Sequence, residues 1–200
     1  MTIPEDLIND IKEKGIWTES CPVSIDKMTI VKVKYLGFDD LEHEGDIMVL
    51  DALADSVQKI FSELLEIKFP INQIKLINEF GGDDNSAMEA NNSSGFNCRY
   101  IEGTTKYSMH SYGMAIDINP VQNPFILYED GKKRVLPEAG KAYLDRGKSK
   151  KGMVTEEVIS IFKGNNFAVW GGDWKTIKDY HHFEVSKELL GQLLLGNGCD

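Results

Sequence analysis

Ser108-Met-His-Ser-Tyr-Gly-Met-Ala-Ile-Asp-Ile-Asn-Pro120 is the stretch on which the reading of this chain turns. Met114, Ala115, Ile116 and Ile118 make an apolar run with Asp117 as its one charged member, the pattern of a buried strand. An ionised carboxylate in such a run is costly unless a cation or several donors meet it. A metal, an Arg or backbone N–H groups must therefore lie beside Asp117. His110 can offer an imidazole nitrogen to the same cation, but on a straight strand His110 and Asp117 would point to opposite faces. They converge only if the chain bends between them, and Gly113 permits the bend. The stretch equally fits a surface His followed by a strand whose Asp is salt-bridged to Lys or Arg. Taken alone, it leaves both readings open.

The surrounding chain has 200 residues, 42% of them hydrophobic, which suits one domain with a real core. A formal net charge of −10 argues against nucleic acid and against an anionic membrane surface, since both require a basic face. Lys148-Ser-Lys-Lys151 is the nearest thing to a basic run and reads as a solvated loop. Met1 to Leu7 shows neither the positive nor the apolar segment of an export signal, and no run approaches transmembrane length. The expectation is a chain made in the cytoplasm, acting at the cell wall if it is exported, released by lysis or freed of a leader. Cys21, Cys98 and Cys199 have no zinc-like spacing, and an odd count is a poor disulfide framework. Free thiols are expected for Cys21 and Cys98, with a bridge between them left open.

Along the chain, Pro4 to Lys14 reads as a short helix stopped by Gly15. Residues 27–36 alternate apolar and polar with a change of parity at Ile30-Val31, which predicts a bulge or a break. Leu50 to Phe69 carries a helical apolar face, capped by Asp51 or Asp46 and ended by Pro70. Ile74, Leu76 and Phe80 suggest a strand. A polar loop follows from Gly81 to Gly95, and its Asn91-Asn92-Ser93-Ser94 matches a glycosylation sequon that nothing else supports. Phe96, Cys98 and Tyr100 alternate as a strand with Arg99 on the opposite face. A hairpin is expected through Glu129-Asp130-Gly131, then a loop to about Gly152 and a helix from a Thr155 cap to Gly164. Phe167 to Trp170 reads as a strand, and Ser186 as the cap of a last helix that packs Leu189, Leu190, Leu193 and Leu194 on the core.

His43, among acidic residues, reads as an exposed loop residue. The remaining histidines fall in two stretches, and the second, Lys178-Asp-Tyr-His-His-Phe-Glu-Val185, completes a set. Adjacent on a strand, His181 and His182 face opposite ways. His182 is the choice for a ligand, because Phe183 and Val185 set the alternation and Asp179 can return to the same cleft through a turn. A hydrolytic zinc site takes three protein ligands and keeps a fourth position open. His110, Asp117 and His182 make that count. Asp179 is then the carboxylate to take the proton from water and deliver it to the leaving amine, and Arg99 a fixed cation for the oxyanion or a substrate carboxylate.

These residues carry a resemblance. Ser108-x-His110-x-x-Gly113-x-Ala115-x-Asp117, with Asp179-x-x-His182 downstream, resembles the VanY-type zinc D-alanyl-D-alanine carboxypeptidases and their relatives, the D-Ala-D-Ala dipeptidases and L-alanyl-D-glutamate endopeptidases. Asn91 to Arg99, Ala115 to Pro120 with Asn123-Pro124, and Trp170-Gly-Gly-Asp-Trp174 look like the endopeptidase branch in particular. The resemblance covers residues 78–185 and makes these the catalytic core, with residues 1–70 in support. It implies an α+β fold, a single hedgehog/DD-peptidase-like domain with a central antiparallel sheet, flanking helices and a zinc groove. It also implies zinc on His110, Asp117 and His182, Asp179 as general base, and Arg99 as a cation for substrate or oxyanion.

Ser108, Trp174 and His181 join Arg99 as candidate substrate contacts. His181, where relatives vary, is expected to be exposed, and the two indoles either wall the groove or pack in the core. The activity implied is that of a zinc metallopeptidase cutting peptidoglycan stem peptides, between L-Ala and D-Glu or at a terminal D-Ala, by a zinc-activated water. A monomer is expected. The rival from another class is a zinc-containing wall- or peptide-binding module without catalysis, whose mark would be loss of the base or of a ligand.

Overall fold

A computed structural model describes residues 3–129 and 132–195. In chain order its elements are helix α1 (Glu5–Glu13), strands β1 (Met28–Leu36) and β2 (Glu42–Leu50), helix α2 (Ala54–Glu66), strand β3 (Gln73–Ile74), helix α3 (Asp84–Glu89), strands β4 (Asn92–Ser93), β5 (Ala115–Asp117), β6 (Phe125–Glu129) and β7 (Lys132–Leu136), helix α4 (Glu156–Gly164), strands β8 (Val169–Trp170), β9 (Lys178–Asp179) and β10 (His182–Glu184), and helix α5 (Lys187–Leu195). The class is α+β. Its strands form small sheets: β1-β2, β5-β10-β8 and β7-β6-β9 are antiparallel, and β3 pairs with β4 in parallel. A single bridge between Ser94 and Asp117 links the β3-β4 pair to β5.

One buried apolar cluster runs from Ile3 to Val185. Helix α2 supplies Val57, Ile60, Phe61 and Leu64, spaced along one helical face, and α4 supplies Val158, Ile159, Ile161 and Phe162. Phe183 of β10 is fully buried and stacks on Phe162 at 3.9 Å between ring centroids. Side chains alternate along a strand, so Phe183 turned to the core sends His182 and Glu184 to the opposite face. That alternation seats the site.

The bend in the opening stretch is a 3-10 turn, Met109–Tyr112, capped by the Ser108 hydroxyl and ended by Gly113 in the left-handed region at φ 65°. The Gly113 carbonyl accepts from the Leu50 amide at 2.9 Å, clamping the turn to the end of β2. A Cβ at Gly113 would lie 2.5 Å from the Leu50 nitrogen and 2.4 Å from the Met28 Cε. Thr155 caps α4 and Ser186 caps α5 through the amides of Val158 and Leu189, as the sequence suggests.

Several local expectations are corrected. β1 runs without a bulge in continuous register with β2; Met28 lies against Gly113, so the start of the strand is covered on both faces and the change of parity needs no kink. β2 escapes sequence reading because Glu42 to Asp46 is polar. His43 therefore lies on a strand, stacked on Tyr35 and bonded to Asp39 at 2.9 Å. Asp46 is in β2, paired with Lys32, and Asp51 lies in a 3-10 turn ahead of α2, whose start has no side-chain cap. Ile77–Phe80 is a 3-10 turn that leaves only β3 of the expected strand. The polar stretch 81–95 contains α3, capped by Asp83 through the Ser86 amide, and β4. Asn91 and Asn92 within it are buried. Phe96 to Tyr100 forms no ladder strand, only a bridge between Tyr100 and Tyr107. Leu194 is exposed, whereas Leu189, Leu190 and Leu193 pack on the core.

Cys21 and Cys98 are joined in a disulfide, contrary to the expected free thiols. The fold brings two residues 77 apart in sequence to a Cα separation of 6.0 Å, a proximity that a count of cysteines could not reveal. Cys199 and the turn residues Asp130 and Gly131 lie outside the described residues, as do Met1 and Thr2. The flanking β6 and β7 do pair as a hairpin.

Alkylation of the unfolded, unreduced chain is expected to label one of its three cysteines, and all three after reduction; labelling of three without reductant would contradict the bridge. Gly113→Ala combines a left-handed backbone with a backbone clash, and should lower stability in urea denaturation by about 2–4 kcal/mol. An unchanged midpoint would show that the turn tolerates a Cβ.

Candidate metal centre

The site grows from one cross-strand pair. β5 and β10 run antiparallel with Asp117 directly opposite His182, Ile116 opposite Phe183 and Ala115 opposite Glu184. The pairing sets the Asp117 carboxylate against the His182 ring, with Oδ1 3.0 Å from Nδ1. The 3-10 turn brings in His110, whose Nε2 lies 3.2 Å from Asp117 Oδ2 and 3.2 Å from His182 Nδ1. These three residues offer ligand atoms that all lie within 4.8 Å of one another.

The outer partners decide which atoms are free. His110 Nδ1 sits 2.6 Å from the Gly95 carbonyl, which can only accept, so Nδ1 carries the proton and Nε2 turns its lone pair inward. His182 Nε2 sits 2.9 Å from Glu184 Oε2, so Nδ1 is the inward lone pair. Two nitrogen lone pairs and two carboxylate oxygens then converge with no donor of their own, an arrangement that demands positive charge. The demand is visible in the protonation energetics. Burial raises the Asp117 carboxyl, but the charges of His110 and His181 and the hydrogen bonds from His110 and His182 hold it well below the usual range. Burial alone would lower His182, yet its bonds to Asp117 and Glu184 push it up to about 10.

A divalent ion meets the same demand, and binding it releases the proton. The spacing is compatible with zinc: ligand atoms about 2.0–2.1 Å from a tetrahedral ion stand roughly 3.3 Å apart, the two nitrogens here are 3.2 Å apart, and each lies 3.0 to 3.2 Å from a different oxygen of Asp117. His110, Asp117 and His182 would hold it.

Asp179 ends β9, with Oδ1 2.9 Å from His181 Nε2. The same ring nitrogen lies 3.8 Å from Asp117 Oδ2, so His181 stands between the two carboxylates. Its other nitrogen, Nδ1, is 2.7 Å from the Asn123 carbonyl. His181 is 3% exposed, which corrects the expectation of a solvated side chain. Burial lowers its pKa, but Asp179 and Asp117 outweigh that and push it up to about 9. Gly171 explains how Asp179 comes so close: a Cβ there would meet the Asp179 carbonyl oxygen at 2.5 Å.

Arg99 forms an ion pair with Asp84 and lies within electrostatic reach of Asp117 and Asp179; burial pulls its pKa down against those charges. Its backbone is tied to the metal stretch, its amide donating to Ser111 Oγ at 2.9 Å and its carbonyl accepting from the Ser108 amide at 3.0 Å. Ser108 itself is buried and spends its hydroxyl on the His110 amide. Trp174 stands at the rim, 5.4 Å from His182, whereas Trp170 donates to the Tyr180 carbonyl and packs on the core.

Sequence reasoning missed Glu184, Ser111, Asp84 and the carbonyls of Gly95 and Asn123. Glu184 was accessible, because two residues along a strand from His182 is the same face. The carbonyls carry no signal in residue identity.

Carboxylates that orient metal-binding imidazoles typically matter about 10–100-fold to affinity. Glu184→Ala should weaken zinc by that factor in competition with a chelator, while His110→Ala should abolish stoichiometric binding. Unchanged affinity in Glu184→Ala would remove the outer carboxylate from the account.

No solved structure matches the chain. Residues 102–185, which contain His110, Asp117, Asp179 and His182, match the family model described as D-alanyl-D-alanine carboxypeptidase. The match falls within the segment that carries the sequence resemblance and spans less than half of the chain.

Proposed function

We propose that this chain is a zinc peptidase that hydrolyses peptidoglycan stem peptides, either between L-Ala and D-Glu or at a terminal D-Ala. The observation that carries the reading is the convergence of the inward lone pairs of His110, Asp117 and His182 beside a further, non-ligating carboxylate, Asp179. The family match over the same residues supports it.

Zinc, when bound, supplies Lewis acidity toward the scissile carbonyl and brings the pKa of a water molecule toward neutrality. The chain's residues do the rest. Asp179 Oδ1 is buried in ion-pair contact with His181, which leaves Oδ2 to take a proton from the attacking water and pass it to the leaving amine. Arg99, fixed by Asp84, holds negative charge on the substrate carboxylate or the developing oxyanion. Trp174, half-buried beside His182, offers an apolar wall to the substrate. The Cys21–Cys98 bridge supports action outside the reducing cytoplasm.

The roles separate by mutation. Asp179→Ala should keep one zinc per chain and lose turnover by about 10²–10⁴-fold, the usual worth of a positioned acid–base group. His182→Ala should lose the metal itself. The assay is release of fragments from muropeptides, followed by mass spectrometry beside metal analysis, and near-normal hydrolysis by Asp179→Ala would reject Asp179 as the base.

A further inference from the structure

The ring of His181 spans the gap between the Asn123 carbonyl and the Asp179 carboxylate, and its burial leaves no solvent to do either job. Each end has a fixed anchor. The Asn123 side chain is fully engaged: its Nδ2 donates to the carbonyls of Ile118, Asn119 and Gly152, and its Oδ1 accepts from the Val154 amide at 2.7 Å and from Arg146. Asn123 is itself wholly buried, so the carbonyl it presents to His181 Nδ1 is a rigid acceptor. At the other end, Asp179 is seated by pairing with Phe125 in β6 and by the close approach of Gly171. Because Asn123 precedes β6 by two residues, the strut and the base it touches hang from one stretch of chain.

We propose that His181 is a positioning residue for the base: the contact of its Nε2 with Asp179 Oδ1, an ion pair at 2.9 Å without the alignment of a hydrogen bond, fixes which carboxylate oxygen faces the water, without touching substrate or metal. The inference rests on the zinc peptidase reading above and deepens it. A carboxylate on a short strand can otherwise rotate about its terminal torsion, which is broad and roughly two-fold. A base misplaced by about an ångström can lose roughly 10²-fold in rate. His181 Nε2 also lies 3.8 Å from Asp117 Oδ2, so the strut keeps the base at a set distance from a metal-binding carboxylate.

The test compares two variants of similar volume in the full chain loaded with zinc. His181→Met fills the space without a donor, and His181→Gln keeps a donor near the Nε2 position. With a stem pentapeptide as substrate, His181→Met should lower kcat about 10–100-fold at unchanged KM and unchanged zinc content, and His181→Gln should recover part of the loss. An unchanged kcat in His181→Met overturns the inference, and so does a loss that comes with zinc depletion or a matching rise in KM. Should His181→Met fail to fold, His181→Leu, which also lacks a donor, decides: a lower kcat at constant KM and zinc supports the strut, and a wild-type kcat overturns it. If the wild-type chain cleaves no stem peptide, the peptidase reading fails first and takes this inference with it.

Discussion

The pairing of Asp117 with His182 across β5 and β10 is the constraint on which the rest depends. A shift of one residue in that register would send Asp117 to the core and bring Ile116 or Ile118 to the site, because side chains alternate strictly along a strand. What prevents the slip is the apolar face: Ile116 and Phe183 are opposed and wholly buried, and Phe183 stacks on Phe162 of α4. Truncating a buried Phe typically costs about 3–5 kcal/mol, so the packing that stabilises the fold also fixes the geometry of the polar cluster. Stability and chemistry share three residues on each strand.

Around that pair the chain concentrates charge that would be prohibitive if isolated. Three buried imidazoles and the largely buried carboxylates of Asp117 and Asp179 lie within a few ångströms of one another. Each imidazole spends one nitrogen on an outer acceptor, the Gly95 carbonyl, the Asn123 carbonyl or Glu184, and turns the other inward. Orientation therefore comes from groups outside the cluster. Low dielectric strengthens every such contact and penalises any that is left unmade, which is why the outer acceptors are as constrained as the inner groups.

The clustering of His110, Asp117 and His182 was more legible in the sequence than the fold. His110, Asp117, Asp179 and His182 could be singled out because a charged residue in an apolar run and a His within an alternating pattern are both anomalies that need a partner. The caps Thr155 and Ser186 followed from hydroxyl placement, whereas the α+β class came from the family resemblance and not from periodicity. β2 was hidden because its first half is polar and half-exposed, and α3 because its Asp, Asn and Ser are better known as turn formers than as a capped helical turn. The disulfide and the burial of His181 are consequences of tertiary contact alone: nothing local distinguishes Cys21 from a free thiol, or His181 from its solvated alternative. The resemblance, with varied residues at this position, points to an exposed His181, on the face opposite to His182. The opposite face here is closed by Asn123 and β9.

The central claim is that His110, Asp117 and His182 hold one zinc that is needed to cut cell-wall peptides. The most direct measurement is metal analysis of the purified chain, paired with mass spectrometry of its products from muropeptides with and without a chelator. The account predicts one zinc per chain and release of an L-Ala-linked or D-Ala fragment that stops when the metal is removed and resumes when zinc is returned. A chain that binds no zinc, or that binds zinc and leaves every stem peptide intact, would contradict it.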